Sequence, residues 1–363
     1  MKRIILVEFT PAVGHQALFN NTCKLLRTGF EVICFCPKGY NKQGADFEYN
    51  ELSKGYLKKT KRYWKYLWYE IVDTRANIRQ VIQYAKKNNI SDIVCLTYGD
   101  FGFFFSLLLI PSRINLYIMH HANVDSMSRS HIKKLMFNIY KKRFIHIVNS
   151  GFMGDYLKNS IGVDSSKVLV WPHPLNPITI SQKELIYDCV GLSNSNDERI
   201  IDQIIELERQ TGVIKRNNLH VILKSTYNKF DNGYLQVFNG FIDKTIFDDY
   251  VSKARCLFMP FPDSYQMRMS GTLMDALSNN KILLGTNIPI IEYSKRMYPN
   301  IVHVFDIDTF VSTILKLKIK NPEAEKEFEL FKNNHSDEYL ASLMVDGLAR
   351  GRQMDSSLQM YDF

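Results

Sequence analysis

The chain has 363 residues, 45% of them hydrophobic and 23% charged, and a formal net charge of +9. That length suits two cores, and the composition excludes a disordered chain. The excess of Lys and Arg points to anionic company (nucleic acid, an anionic membrane surface or a phosphorylated substrate) without choosing among them.

In chain order, a strand is predicted over 4–7. Gly14 and His15 open a helix with apolar positions Leu18, Phe19, Leu25 and Leu26, stopped at Gly29. Strands follow over 31–36, closed by Pro37, then over 93–97, 116–120, 145–149 and 168–171. Ser150 stands where it would cap the helix after 145–149. Strands alternating with helical stretches argue for a parallel sheet covered on both faces. The stretch WPHPLNPITISQ, 171–182, carries three prolines and no periodicity, as an interdomain linker does. Beyond it the alternation restarts: strand 187–192, helix 198–210, strands 220–223 and 235–238, helix 245–253, strand 256–259, helix 272–278, then strands 282–284 and 301–304. The tail from Pro322 is charged and reads as helical.

The expected organisation is therefore an N-terminal α/β domain over 1–171, a linker over 172–184, a second α/β domain over 185–320 and a helical tail over 321–363, with a cleft between the halves. The six cysteines form no CxxC pair and sit mostly in apolar runs. They read as buried free thiols in a reducing compartment, and no metal site is expected. The apolar start is interrupted by Glu8, too early for a signal peptide, and the run 101–110 is too short to span a bilayer. The expectation is a cytoplasmic protein.

One stretch stands apart. KGYLKKTKRYWKYLWYE, 54–70, interleaves Lys58, Lys59, Lys61, Arg62 and Lys65 with Tyr63, Trp64, Tyr66, Trp68 and Tyr69. It reads as a solvated basic face with inward aromatics, as a dock for an anionic membrane, or as a single-strand nucleic-acid contact.

Open parallel sheets bind ligands beyond the carboxyl ends of their strands, so the turns there are the candidates. After the first strand, Gly14 permits close backbone approach and His15 sits near a helix start. Neither GxGxxG nor GxxxxGK[ST] is present. After 93–97 comes Asp100. After 116–119 come His120 and His121, which must face opposite sides of a strand, so one of the two can serve a ligand in proton transfer or hydroxyl binding. In the second half, RMSGTLMDA holds Arg268, then Ser270, Gly271 and Thr272 at a helix start, then Asp275 one turn on. Free N–H groups and the helix dipole at such a start attract phosphate, Arg268 adds a fixed cation, and Lys224 ends a neighbouring strand. Asp275 can accept from ribose hydroxyls.

These residues, in this order, resemble retaining glycosyltransferases of the GT-B fold, most closely the family 4-like group. The resemblance is best over 186–305, in YDCVGLSNSNDERIIDQIIEL, in LQVFNGFIDKTIFDDYVSKARCLFMPF and in SGTLMDALSNNKILLGTNIPIIE. IVNSGFMGDYLKNSIGVDSSKVLVWPHPLNP, 147–177, is similar to the end of the family's first domain and its linker. The resemblance implies two Rossmann-like domains facing each other across a cleft. It implies transfer of a hexose-type sugar from a nucleotide-diphosphate donor to an acceptor hydroxyl on a glycan, lipid-linked oligosaccharide or protein. It also implies retention of configuration without a metal or other cofactor, in bacterial surface polysaccharide or glycoconjugate synthesis at the inner face of the plasma membrane. On it, Lys224, Arg268, Ser270, Gly271, Thr272 and Asp275 bind the donor. His120, His121 and Asp100 are the catalytic candidates, and Gly14 and His15 lie on the acceptor side. The first of two glutamates that the family often places eight positions apart falls here on Met267. That departure keeps open a non-catalytic partner subunit, and the shared fold keeps open a nucleotide-sugar 2-epimerase. A nucleic-acid-binding protein has the charge but no base-reading motif, and none is expected as a partner.

Overall fold

The computed structural model describes residues 1–9, 16–38, 48–55, 62–178, 180 and 184–358. The chain divides into two compact units. The first comprises Met1–Pro174 with Asp337–Phe363, the second Leu175–Ser336.

The first unit runs β1 (Lys2–Glu8), α1 (Gln16–Arg27), β2 (Phe30–Lys38), β3 (Tyr49–Gly55), α2 (Tyr63–Lys87), β4 (Asp92–Thr97) and α3 (Asp100–Phe104). It continues with β5 (Asn115–His120), α4 (Asn123–Ser128), α5 (His131–Tyr140), β6 (Ile145–Val148), α6 (Gly151–Asp155) and β7 (Val168–Val170). Its seven strands lie in the order β3-β2-β1-β4-β5-β6-β7, and each neighbouring pair is parallel. The apolar runs are continuous because both faces of the sheet are covered: β4 is buried along its whole length.

The second unit runs β8 (Tyr187–Gly191), α7 (Glu198–Thr211), α8 (Val213–Arg216), β9 (Val221–Lys224), β10 (Phe230–Asp231), β11 (Leu235–Phe238) and α9 (Lys244–Lys253). There follow β12 (Ala254–Met259), α10 (Gly271–Ser278), β13 (Ile282–Gly285), α11 (Pro289–Met297), β14 (Val302–Val304), α12 (Phe310–Leu317) and α13 (Pro322–Asn334). The sheet order is β10-β11-β9-β8-β12-β13-β14, parallel apart from the short β10–β11 pair. In both units the strand order reverses beside the first strand, the place where α/β sheets present their loops to ligands.

Three expectations change. The 321–363 tail is not one piece: α13 belongs to the second unit, while α14 (Asp337–Leu358) returns to the first. There Leu340, Met344 and Leu348 are buried in the same cluster as Leu6, Leu96 and Trp171. Gly29 follows the end of α1 at Arg27, as expected of a stop, and is also a place of close approach, since a Cβ there would stand 2.8 Å from Val345 of α14. Ser150 holds the N-cap position of α6, but its side chain makes no capping bond. The strand β3 has no counterpart in the sequence reading; YNELSKG is an edge strand and carries little apolar pattern. All six cysteines are buried and unbridged. Among the described residues no helix is long and apolar enough to cross a membrane.

Candidate functional site

In the first unit a recess of about 370 Å³ opens at the carboxyl ends of β4 and β5. Its wall includes Tyr66, Leu67 and Glu70 of α2, the Tyr98–Phe101 turn, and His121, Asn123 and Lys133. Asp100, in the first turn of α3, is fully engaged there. It accepts from Asn123 Nδ2 at 2.7 Å and Ser126 Oγ at 3.1 Å, and pairs with Lys133 Nζ at 2.7 Å. With that many donors on it, Asp100 organises the recess and holds the Lys133 cation at its wall.

The two histidines take different places. His121, just past the end of β5, lines the recess, whereas His120, the last residue of β5, is buried behind the Tyr98 and Asp100 that also line it. His120 Nδ1 meets the Tyr98 hydroxyl at 2.9 Å and its Nε2 meets His146 Nδ1 at 2.9 Å. His146 Nε2 meets the carbonyl of Lys141 at 2.8 Å. That carbonyl can only accept, so His146 carries its proton on Nε2, His120 donates from Nε2, and Tyr98 donates to Nδ1. Burial pushes His120 well below the usual histidine range, with His146 beside it adding to the effect, and burial takes His146 down to about 4. His120 is thus a neutral structural link with both nitrogens in use, and the catalytic expectation for it is withdrawn.

Glu70 was not singled out from the sequence. It is buried at the recess and accepts from the Gly102 backbone at 2.9 Å; burial raises its pKa, against the lowering effect of that bond. Gly99 and Gly102 let α2 close on this turn. A Cβ at Gly99 would lie 2.2 Å from Glu70 Oε1, and one at Gly102 would lie 2.4 Å from Thr74 Oγ1. Gly14, His15, Lys58, Lys59 and Lys61 lie outside the described residues. Within α2, Tyr66, Leu67 and Glu70 turn toward the recess while Trp64, Lys65 and Trp68 are exposed. The part of that stretch that lies in α2, 63–70, therefore has both an inward side and an outward basic-aromatic one.

In the second unit a recess of about 330 Å³ lies at the ends of β8 and β9, walled by Asn194, Asn196, Glu198, Lys224, Ser225 and Thr226 among others. Asn196 Nδ2 donates to Gly191 O at 3.0 Å and Lys224 O at 2.9 Å, tying the two strand ends together. Lys224 Nζ donates to Asn194 Oδ1, and burial lowers its pKa. At the start of α7, Glu198 accepts from Ser225 Oγ and the Thr226 backbone. Burial alone would raise its pKa, but these bonds outweigh that and hold it below the usual range. The recess thus presents one cation, one carboxylate and several amides and hydroxyls. The sequence reading identified Lys224 but missed Asn194, Asn196 and Glu198, although SNSNDE spells them together at the end of the first strand of this unit.

Arg268, Ser270, Gly271 and Thr272 follow β12, on the same carboxyl edge of the sheet, but do not line that recess. The Arg268 guanidinium stacks 3.9 Å from the centre of the Tyr265 ring. Ser270 is buried, and its hydroxyl accepts from Leu273 N at 3.4 Å as the N-cap of α10. Gly271 is exposed, and among the described residues nothing lies within 4 Å of an added Cβ there, at the start of α10. Asp275 already accepts from Asn176 Nδ2 at 2.5 Å, and burial raises its pKa to about 6. Among the described residues no cluster of His, Cys, Asp and Glu is arranged to hold a metal ion.

No protein-family model matches the chain, and neither does any curated protein. Solved structures do. A glycosyltransferase from Rickettsia africae ESF-5 superposes with a TM-score of 0.61 at 11% identity, over 95% of this chain and 97% of that one. An alpha-glucosyltransferase in complex with UDP and a DNA 13-mer gives 0.56 at 12% identity, over 95% and 99%. The chain has the GT-B fold. A putative UDP-N-acetylglucosamine 2-epimerase from Listeria monocytogenes shares that GT-B architecture equally well, with a TM-score of 0.61 at 10% identity over 98% of both chains.

Proposed function

We propose that the chain is a glycosyltransferase, moving a hexose-type sugar from a nucleotide-diphosphate donor to an acceptor hydroxyl with retention of configuration. The observation that carries this is the carboxyl edge of the second sheet, on a GT-B fold. There a buried lysine, Lys224, is held in a polar recess by Asn194, and α10 begins at an exposed glycine, Gly271, shortly after Arg268. Charge develops on the diphosphate as the donor's anomeric bond breaks, and fixed cations with backbone N–H groups stabilise it most where water is excluded. Lys224 and Arg268 supply the cations, and the N–H groups of Gly271 and Thr272 the dipole end. Ser270 serves by capping the helix that presents them. Asp275, with Asn176 on Oδ1, keeps Oδ2 for ribose hydroxyls. In the first unit, His121 binds the acceptor hydroxyl in the recess that Asp100 and Lys133 brace. The acceptor is a glycan, a lipid-linked oligosaccharide or a protein.

A thermal-shift screen against UDP, GDP, CDP, ADP and their sugars tests this directly, since a ligand that binds only the folded chain raises its melting point. A rise with one nucleotide class, reduced in Arg268→Ala, is expected. No rise with any of them would leave the partner-subunit reading that Met267 invites. The 2-epimerase reading is favoured by the equally good superposition on the Listeria protein. Release of free nucleotide from the donor, without acceptor and with a 2-epimer as product, would select it.

A further inference from the structure

Helix α5 is apolar on two sides. Met136, Phe137 and Tyr140 face the core and are buried. Ile132, Leu135 and Ile139, at i, i+3 and i+7, form a second stripe, each 66% exposed. Among the described residues nothing covers that stripe. On α2 a similar row runs at four-residue spacing: Trp64, 80% exposed, Trp68, 65%, and then Val72. The next turn of α2 carries Arg75, whose guanidinium donates to Phe105 O at 2.7 Å. The corresponding turn after α5 carries Arg143, which donates to Leu107 O at 3.2 Å and to Ile110 O. Both rows therefore end on the same short turn, and that turn presents Phe105 at 50% and Leu108 at 97% exposure. Exposed apolar side chains of α2, of α5 and of the turn between their arginines are thus gathered on this unit.

The charge around this face is mostly positive, with Asp73 beside Val72 as an acidic exception. Arg62 and Lys65 flank the α2 row, and Lys134, Lys142 and Arg143 flank the α5 row, which contains no acidic residue. Over the whole chain, Lys and Arg outnumber Asp and Glu by 27 to 17 in the first unit and are 19 to 20 in the second. All of the net positive charge thus belongs to the unit with the exposed apolar face. A second copy of the chain would bring the same cations against themselves across a two-fold contact, which is unfavourable. Nucleic acid offers phosphates but nothing for three aliphatic side chains to enter. An anionic bilayer surface matches both properties, taking isoleucine and leucine at the acyl boundary, tryptophan at headgroup depth and cations against lipid phosphates.

We infer that the α2–α5 face of the first unit docks on a bilayer rich in anionic lipid, without spanning it. The recess of that unit opens at the rim of this face, because Tyr63 and Lys133, which line it, are the immediate neighbours of Trp64 and Ile132. If the glycosyltransferase reading is also right, on which this step alone rests, the docked orientation delivers a lipid-carried acceptor to His121.

The three tryptophans make the test direct. Trp64 and Trp68 lie on the face, and Trp171 is fully buried in the core. The full chain is sedimented with vesicles of phosphatidylcholine, and with vesicles in which roughly one third is phosphatidylglycerol, while tryptophan emission is followed with brominated acyl chains present. Expected are retention on the anionic vesicles, weakened by salt, with a blue shift and strong quenching. The triple variant Ile132→Ser, Leu135→Ser, Ile139→Ser should lose about tenfold or more in vesicle affinity. Its nucleotide-induced thermal shift should stay unchanged, which separates failure of docking from failure of the enzymatic reading. The inference is overturned by absence of binding to anionic vesicles, by binding without a blue shift or quenching, or by undiminished binding of the triple variant. It is equally overturned if the chain forms a dimer that the triple variant abolishes while vesicles retain neither.

Discussion

The two units share one architecture and differ in almost everything placed on it. Each is a seven-stranded sheet with its order reversing beside the first strand, and each opens a recess of similar volume at the strand ends. The first recess is walled by aromatics, with Asp100 neutralising Lys133; the second by amides and hydroxyls, with Lys224 held on a neutral Asn194 oxygen. In the second the lysine is hydrogen-bonded to a neutral group and the carboxylate of the same recess, Glu198, is taken up by Ser225 and Thr226, so the cation is not ion-paired as Lys133 is in the first. A fold of this kind fixes where ligands approach, and a handful of side chains at the strand ends decide which ligands come.

The sharpest way to break this contrast is Lys224→Ala. Nucleotide-sugar turnover should fall by about 10²–10³-fold, read as kcat/KM, while circular dichroism stays native. An equal loss from Lys133→Ala with none from Lys224→Ala would put the donor in the first unit. Next in size is His121→Ala, expected to lower kcat by about a hundredfold with little change in melting temperature. His120→Ala should do the reverse in kind, loosening the first unit because it leaves His146 Nδ1 without the group it accepts from, removes one partner of the Tyr98 hydroxyl and opens a cavity in the core. If His120→Ala were stable and inactive, the assignment of the two histidines would have to be exchanged. Gly99→Ala should cost about 1–3 kcal/mol in denaturant unfolding, since its Cβ would meet the Glu70 carboxylate.

The smallest effect is on pH. His146 is held at about 4 in the folded chain against an ordinary 6.5, so the unfolded chain binds its proton first and stability drops as pH falls from about 6.5 toward 4. Asp275 is held at about 6 against 3.8, so in an overlapping window the folded state takes up the proton first and the second unit gains stability. Between pH 7 and pH 5, protection against amide exchange should therefore fall around β5 and β6 relative to α10. The difference should shrink in His146→Gln. An equal change of protection in both units would contradict it.

How much of this was visible beforehand depends on the kind of signal. Strands such as 93–97 and 256–259 are continuous apolar runs, and a sheet buried on both faces demands such runs, so both halves could be read. The edge strand β3 escaped because an edge needs no apolar pattern. His120 and His121 could be separated in principle by alternation, but which of them faces the recess depends on where β6 places His146. Glu70 was hidden within a stretch dominated by its basic and aromatic neighbours; only the packing of α2 on Gly99 and Gly102 singles it out. Ser270 was readable as a cap and as a phosphate donor, and the bond from Leu273 N shows it engaged as the cap.

The return of α14 to the first unit bears on the order in which the molecule can be completed. The Trp171 indole donates to Leu340 O, and the Tyr117 hydroxyl to Leu348 O, each at 3.0 Å. At Gly347 the helix lies so close to β7 that an added Cβ would stand 2.5 Å from Leu169. During synthesis the first unit emerges early, yet its core stays open along one side until residues 337–358 leave the ribosome. Domains usually fold in the order they are made; here the second unit, made of one uninterrupted segment, can close first. A nascent chain stopped at Ser336 should bind a chaperone through the uncovered Leu6–Trp171 surface, and release should coincide with translation of the last helix.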